Sequence, residues 1–215
     1  MNHQSSTPMP AKDQRWGWIS GWGFPPAVLT QVAESIWPHH QHTVVAPTPR
    51  ALPTLRALEP DLLVGYSLGA LLLLAENSDA MQPTRIAFAP FLAFDAEAGL
   101  GGKTPTRSRE AVQARFGRSP TTAIKLYLRL AGLSDLESDQ FPYAEADLQW
   151  GLEALGELRA CPQTVSRSHL FLGSEDPLVD ASVLGSRFPH LISLPRANHD
   201  FRALLPAASS LPPFI

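Results

Sequence analysis

Asp61-Leu62-Leu63-Val64-Gly65-Tyr66-Ser67-Leu68-Gly69-Ala70-Leu71-Leu72-Leu73-Leu74-Ala75 is the stretch on which the reading of the chain turns. At its centre stands G-x-S-x-G, from Gly65 to Gly69. The run before it follows Pro60, is short and apolar, and stops at a glycine, as a buried strand does. The run after it is apolar on every side and ends near Glu76-Asn77, as a buried helix does. A strand that turns sharply into a helix about a serine is a nucleophile elbow. Gly65 and Gly69 belong where a crowded, strained turn leaves no room for a side chain. Ser67 then stands at the top of a sheet, with the free N–H groups and positive end of a helix behind it. Without its flanks the same motif would read as a plain Gly-Ser turn.

Working outward, the 215 residues suit one domain with one inserted lobe, and the 44% apolar content supplies a core. A net charge of −3 argues against nucleic acid as a partner. Cys161 is the single cysteine, so no internal disulfide can form, which fits a reducing, cytoplasmic setting. Residues 1–14 are polar and proline-bearing, lack the apolar core of a secretory leader, and read as a flexible arm. No run of about 18 apolar residues occurs, so no membrane span is expected. The protein is read as a monomer.

Strand signals fall at 15–19, 42–46, 61–64, 84–89, 168–173 and 190–194. Helical stretches fall at 26–36, with proline in the first turn, at 54–58 and at 71–75. Residues 92 to about 150 differ: they carry amphipathic helical patterns at 108–116 and 121–133 and no clear strand. Strand and helix therefore alternate and are interrupted once, which predicts a mostly parallel α/β sheet with a helical insertion. The expected units are a core of 15–91 and 151–215 and a cap of 92–150.

A serine hydroxyl needs a base to take its proton, and the base needs a third group to fix its tautomer. In this type of fold the order along the chain is Ser, then Asp or Glu, then His. Gly173-Ser174-Glu175-Asp176-Pro177 directly follows one apolar strand, and Ala197-Asn198-His199-Asp200-Phe201 directly follows the next. Asp176 and His199 thereby reach the edge of a parallel sheet where sites form. Glu175 and Asp180 are rivals for the acid, and His169 and His190 for the base. Asp176 would otherwise cap a turn before its proline. His39-His40-Gln41-His42 lacks the carboxylates or cysteines a metal site would add, so no metal is assigned. An oxyanion needs two N–H donors. Leu68 supplies one, and the flexible Gly21-Trp22-Gly23 loop supplies the other through Trp22.

These motifs resemble the α/β-hydrolase superfamily. Gly21-Trp22-Gly23, Gly65-Tyr66-Ser67-Leu68-Gly69, Gly151-Leu152-Glu153-Ala154-Leu155, Asp176-Pro177-Leu178-Val179 and Ala197-Asn198-His199 are most similar to the pimeloyl-acyl-carrier-protein methyl ester carboxylesterases of biotin synthesis. Ser20 stands where that family has His, and Pro47-Thr48-Pro49-Arg50 replaces its glycine-rich turn. The resemblance implies an α/β-hydrolase fold with a small helical cap and a serine carboxylesterase without cofactor; the alternatives are a general esterase or a thioesterase of that fold, or a non-catalytic binding protein built on it. Its substrate would be an ester, carried on acyl carrier protein. The charge pattern of the insertion fits such an acidic partner. Between Gly99 and Asp135 stand Lys103, Arg107, Arg109, Arg115, Arg118, Lys125 and Arg129 against Glu110 and Asp135. Arg109, Arg115 and Arg118 are the expected carrier contacts, and Phe116 and Tyr127 the expected acyl-pocket lining. A solvated helical face is the plain alternative for the charges, and core packing for the rings.

Overall fold

The computed structural model describes residues 13–77 and 83–211. Six strands form one all-parallel sheet: β1 (Arg15–Ile19), β2 (Gln41–Val45), β3 (Leu62–Tyr66), β4 (Thr84–Phe88), β7 (His169–Gly173) and β8 (Ile192–Leu194). The two strands numbered between β4 and β7 lie outside this sheet. The order of the six strands across the sheet is β2-β1-β3-β4-β7-β8. The chain runs from β1 outward to β2 and then returns to the far side of β1. The end of β3 is thus a switch point, where parallel sheets open a crevice. Every residue of β3 is buried, as expected of a strand covered on both faces. The helix after it, α3 (Leu68–Ala75), is buried from Leu68 through Leu74. Each fully buried leucine there contributes about 2 kcal/mol, so packing holds this short helix.

Helices α1 (Pro26–Ile36), α2 (Ala51–Arg56), α7 (Pro162–Ser166), α8 (Ala181–Arg187) and α9 (Phe201–Ala208) complete the core layers. The insertion holds α4 (Thr106–Phe116) and α5 (Pro120–Leu130) at the expected places. It also holds a two-stranded parallel sheet that the sequence pattern does not announce, β5 (Ala93–Asp95) with β6 (Gly101–Thr104). Three or four residues are too few to show a period, and β6 begins with two glycines. Gly102 is required there, since a Cβ would lie 1.9 Å from the Phe94 carbonyl oxygen. The expected boundary between cap and core meets a helix. Position 150/151 falls inside one continuous helix, α6 (Glu145–Glu157), which is buried along Leu148, Gly151, Leu152, Ala154 and Leu155. At Gly151 that face lies against Trp22 and Leu68. The expected arm falls mostly outside the described residues. Its last residue, Gln14, is already tied down, its carbonyl accepting from Gln41 N at 2.9 Å. Among the described residues no helix is long and apolar enough to cross a membrane.

Candidate active site

The elbow is built by close approach. Ser67 sits at φ 55°, ψ −115°, a strained left-handed position for a residue with a side chain. Packing imposes it. A Cβ on Gly65 would lie 2.5 Å from Gly69 O, and one on Gly69 would lie 2.1 Å from Ile19 O. The first turn of α3 is therefore pressed onto the end of β1. Ser67 is only 2% exposed. The Ser67 N–H is bonded to Phe88 O at 3.0 Å, which fixes the turn against β4.

The acid and base loops are brought together by Gly173. A Cβ there would lie 2.3 Å from Ala197 O. Glu175 N donates to Ala197 O across the same junction at 2.9 Å. Asp176 Oδ1 accepts from the N–H groups of Leu178 (2.8 Å) and Val179 (3.0 Å). The other oxygen, Oδ2, accepts from His199 Nδ1–H at 2.8 Å. With its proton on Nδ1, the imidazole offers Nε2 as acceptor to the Ser67 hydroxyl at 3.0 Å. Asp176 and His199 are each 1% exposed. The rival acids fall away: Glu175 is exposed, and Asp180 caps α8 through Ser182 N and Val183 N. The rival histidines lie elsewhere, His169 at the start of β7 and His190 against Val165 O. His40 stacks on Trp16 at 4.7 Å, and His42 accepts from Trp18 Nε1 at 3.1 Å, so that cluster serves packing.

Two supports of this chain of hydrogen bonds have no motif in the sequence. The Tyr66 hydroxyl donates to His199 O at 2.8 Å and locks the elbow to the histidine loop. Lys103 Nζ donates to Asp176 O at 2.7 Å, and Lys103 N to Leu178 O at 2.8 Å, so β6 clasps the acid loop. The only signal for Tyr66 is its place beside the serine; Lys103 shows none.

The fold has counterparts among solved structures. The N-formylmaleamic acid deformylase of Pseudomonas putida superposes with a TM-score of 0.58 at 12% identity, covering 88% of this chain and 87% of that one. RedJ gives 0.55 at 17% identity, covering 90% and 86%. DcsB gives 0.54 at 10% identity, covering 90% and 85%. No family model matches the chain, and no curated protein matches it. The sheet order, the elbow and these superpositions agree. The chain has the α/β-hydrolase fold. In such a fold the serine turn, the acid loop and the histidine loop meet above the carboxyl ends of the strands, and here they do so with Ser67, Asp176 and His199.

The candidate oxyanion donors lie beside Ser67. Gly21 packs so closely that a Cβ on it would be 3.3 Å from Ser67 Cβ. Among the described residues, neither Trp22 N–H nor Leu68 N–H is bonded to a protein acceptor. The loop is held from the cap side. Trp22 Nε1–H donates to Leu148 O at 2.7 Å, and Gly23 N–H donates to the Tyr143 hydroxyl at 2.9 Å. Gly151 gives the indole its space, since a Cβ would lie 2.5 Å from Trp22 Cδ1. That contact is the physical content of the Gly-Leu-Glu stretch.

The cap residues divide. Tyr127 reaches the site: it is 5% exposed, edge-on to Trp22 at 4.8 Å, with its hydroxyl near Ser67. It also borders a small, mostly apolar cleft with Phe94, Val112, Leu130, Leu152 and Leu178, of about 10 Å³, room for one water. Phe116 does not line that cleft; it packs against Trp22 at 6.2 Å as core. Arg109 is not a free cation. It is bound to Asp95 through Nε (2.9 Å) and Nη2 (3.1 Å), because that buried acid needs a partner. Lys125 pairs with Asp139 and Arg129 with Glu137, and these hydrogen bonds hold both carboxyls below their ordinary pKa. Over residues 93–139 seven basic side chains meet six acidic ones, so the +5 of the shorter window shrinks to +1. Apart from Lys103, which donates to Asp176 O, the insertion cations without a carboxylate partner among the described residues are Arg107 and Arg115 on α4 and Arg118 just beyond its end, all exposed.

Proposed function

We propose that the protein is a serine carboxylic-ester hydrolase. The observation that carries this is the unbroken chain Asp176 Oδ2, His199, Ser67 Oγ at 2.8 and 3.0 Å, ending on a strained serine at a helix N-terminus. His199 Nε2 takes the Ser67 proton as Oγ bonds to the ester carbonyl carbon. The carbonyl oxygen becomes an oxyanion held by Trp22 and Leu68 N–H groups. As the intermediate collapses, the C–O bond to the alcohol breaks and His199 returns the proton to that alcohol. Water, deprotonated by His199, then attacks the acyl carbon, and Oγ leaves with the proton. A deformylase on the same fold supports hydrolysis at an acyl carbon only as analogy, since folds host many chemistries.

The test is a panel of p-nitrophenyl esters combined with a fluorophosphonate label, on the wild type and Ser67→Ala. Wild type is expected to hydrolyse at least one short ester and to take up one label. Ser67→Ala should lose both, with kcat down by about 10⁶. Turnover retained in Ser67→Ala would overturn the reading.

A finer reading concerns the substrate: a carrier-bound ester, of the kind cleaved as pimeloyl methyl ester in biotin synthesis. The Gly-Trp-Gly loop and the exposed arginines at and just after α4 favour it, because Arg107, Arg115 and Arg118 offer positive charge to an acidic carrier.

A further inference from the structure

Three tyrosine hydroxyls lie on the site or on the loop that borders it, and two are accounted for. Tyr66 donates to His199 O at 2.8 Å, and Tyr143 accepts from Gly23 N at 2.9 Å. The third, Tyr127, lies on α5 with its ring enclosed by Trp22 (4.8 Å) and Phe94 (6.3 Å). Its hydroxyl is buried and has no hydrogen-bond partner. It lies against the Ser67 hydroxyl, but the two do not meet in hydrogen-bonding geometry. Burying an unpartnered hydroxyl costs about 1–3 kcal/mol, and phenylalanine would fill the same space without that cost. Burial also pushes the phenol well above its ordinary pKa, so it keeps its proton and remains a donor throughout the working range. A donor that the folded protein leaves unused, touching the residue that supplies one oxyanion N–H and facing the nucleophile, is placed for an atom that arrives with substrate.

We propose that the Tyr127 hydroxyl is a third oxyanion donor, contributed by the cap, which hydrogen-bonds the substrate carbonyl oxygen as it becomes negative. This rests on the acyl-transfer reading above. The cap is then part of the catalytic apparatus as well as a cover. The N–H donors come from the sheet side, through the loop after β1 and the start of α3, and the O–H donor comes from α5. No proton is transferred by Tyr127; it donates a hydrogen bond and keeps its hydrogen.

Tyr127→Phe tests it, read beside Ser67→Ala. The variant should lower kcat for p-nitrophenyl acetate by about 10–100-fold and leave KM within about twofold, as for loss of one oxyanion donor. Affinity for a trifluoromethyl ketone, which forms an oxyanion on Ser67, should fall by a similar factor. Its Tm should be equal to or above that of the wild type, because an unpartnered buried hydroxyl is gone. Wild-type kcat in Tyr127→Phe with Ser67→Ala inactive would overturn the third donor and leave the esterase reading standing. A lowered Tm with unchanged ketone affinity would assign the hydroxyl to the fold and overturn it too. Activity persisting in Ser67→Ala would instead remove the reading on which both rest.

Discussion

Asp176 and Asp95 are both buried carboxylates, 1% and 6% exposed, and each has one strong side-chain partner. Asp176, at the sheet edge, spends one oxygen on two backbone N–H groups and gives the other to an imidazole. Asp95, in the insertion, gives both oxygens to the Arg109 guanidinium and accepts Thr106 Oγ1–H as well. The partners decide what each pair can do. Imidazole has a second nitrogen and a removable proton, so the pair passes on to Ser67. Guanidinium keeps its protons, so the Asp95 pair ends in itself and joins β5 to α4. The burial is comparable; one arrangement is poised for chemistry and the other holds the insertion together.

Exchanging each acid for its amide breaks this comparison most sharply. Asp176→Asn should cut kcat by about 10⁴, because the amide favours the wrong imidazole tautomer, while Tm changes little. Asp180→Asn, in a helix cap outside the site, should leave kcat within about threefold. Asp95→Asn should do the reverse of Asp176→Asn. It leaves the Arg109 charge uncompensated in a largely buried place, a loss of about 3 kcal/mol, or about 10 °C in Tm, with kcat at low temperature nearly kept. Thermal melts and steady-state rates on the three variants decide it; a stability loss in Asp176→Asn matching that of Asp95→Asn would erase the distinction.

Gly151→Ala is next in size. Its Cβ would press on Trp22 Cδ1 at 2.5 Å and tilt the loop that presents the Trp22 N–H. A kcat loss of about 10–100-fold is expected from such a small displacement, with fluorophosphonate labelling of Ser67 retained at a slower rate. Unchanged kcat would mean that the indole can shift without moving the N–H.

The smallest effect is expected from Arg115→Glu with Arg118→Glu. On p-nitrophenyl acetate the double variant should stay within about twofold of wild type, since both side chains are exposed to solvent. KM for an acyl-carrier-protein ester should rise several-fold at low salt and converge with wild type at high salt, where exposed charges are screened beyond about 3 Å. Equal losses on both substrates would place these arginines in the support of the pocket. No loss on either would remove the basis for a carrier.

The elbow was legible in the sequence because its causes are local. An apolar strand, two glycines, a serine and an apolar helix occupy adjacent positions. The acid and histidine loops were legible for the same reason, each directly after a strand, and order along the chain then assigned Asp176 and His199. Other features depend on residues far apart. Tyr66 finds His199 O across 133 positions, and Trp22 Nε1 finds Leu148 O across 126. The basic cap misled when counted within a window, because the carboxylates that neutralise it, Asp95, Glu137 and Asp139, lie just beyond the ends of that window.

By itself, then, the sequence determined the parallel α/β sheet, the place of the insertion and the three residues of the hydrogen-bonded chain, since hydrophobic period, glycine and strand-end position act over a few residues. Only the tertiary structure decided which polar groups are spent and which are left over. Asp95 consumed Arg109, Tyr143 accepted from Gly23, and Tyr127 was left with a buried hydroxyl beside Ser67. Whether a donor is satisfied depends on what packing brings within about 3 Å of it, and that is a property of the folded chain as a whole.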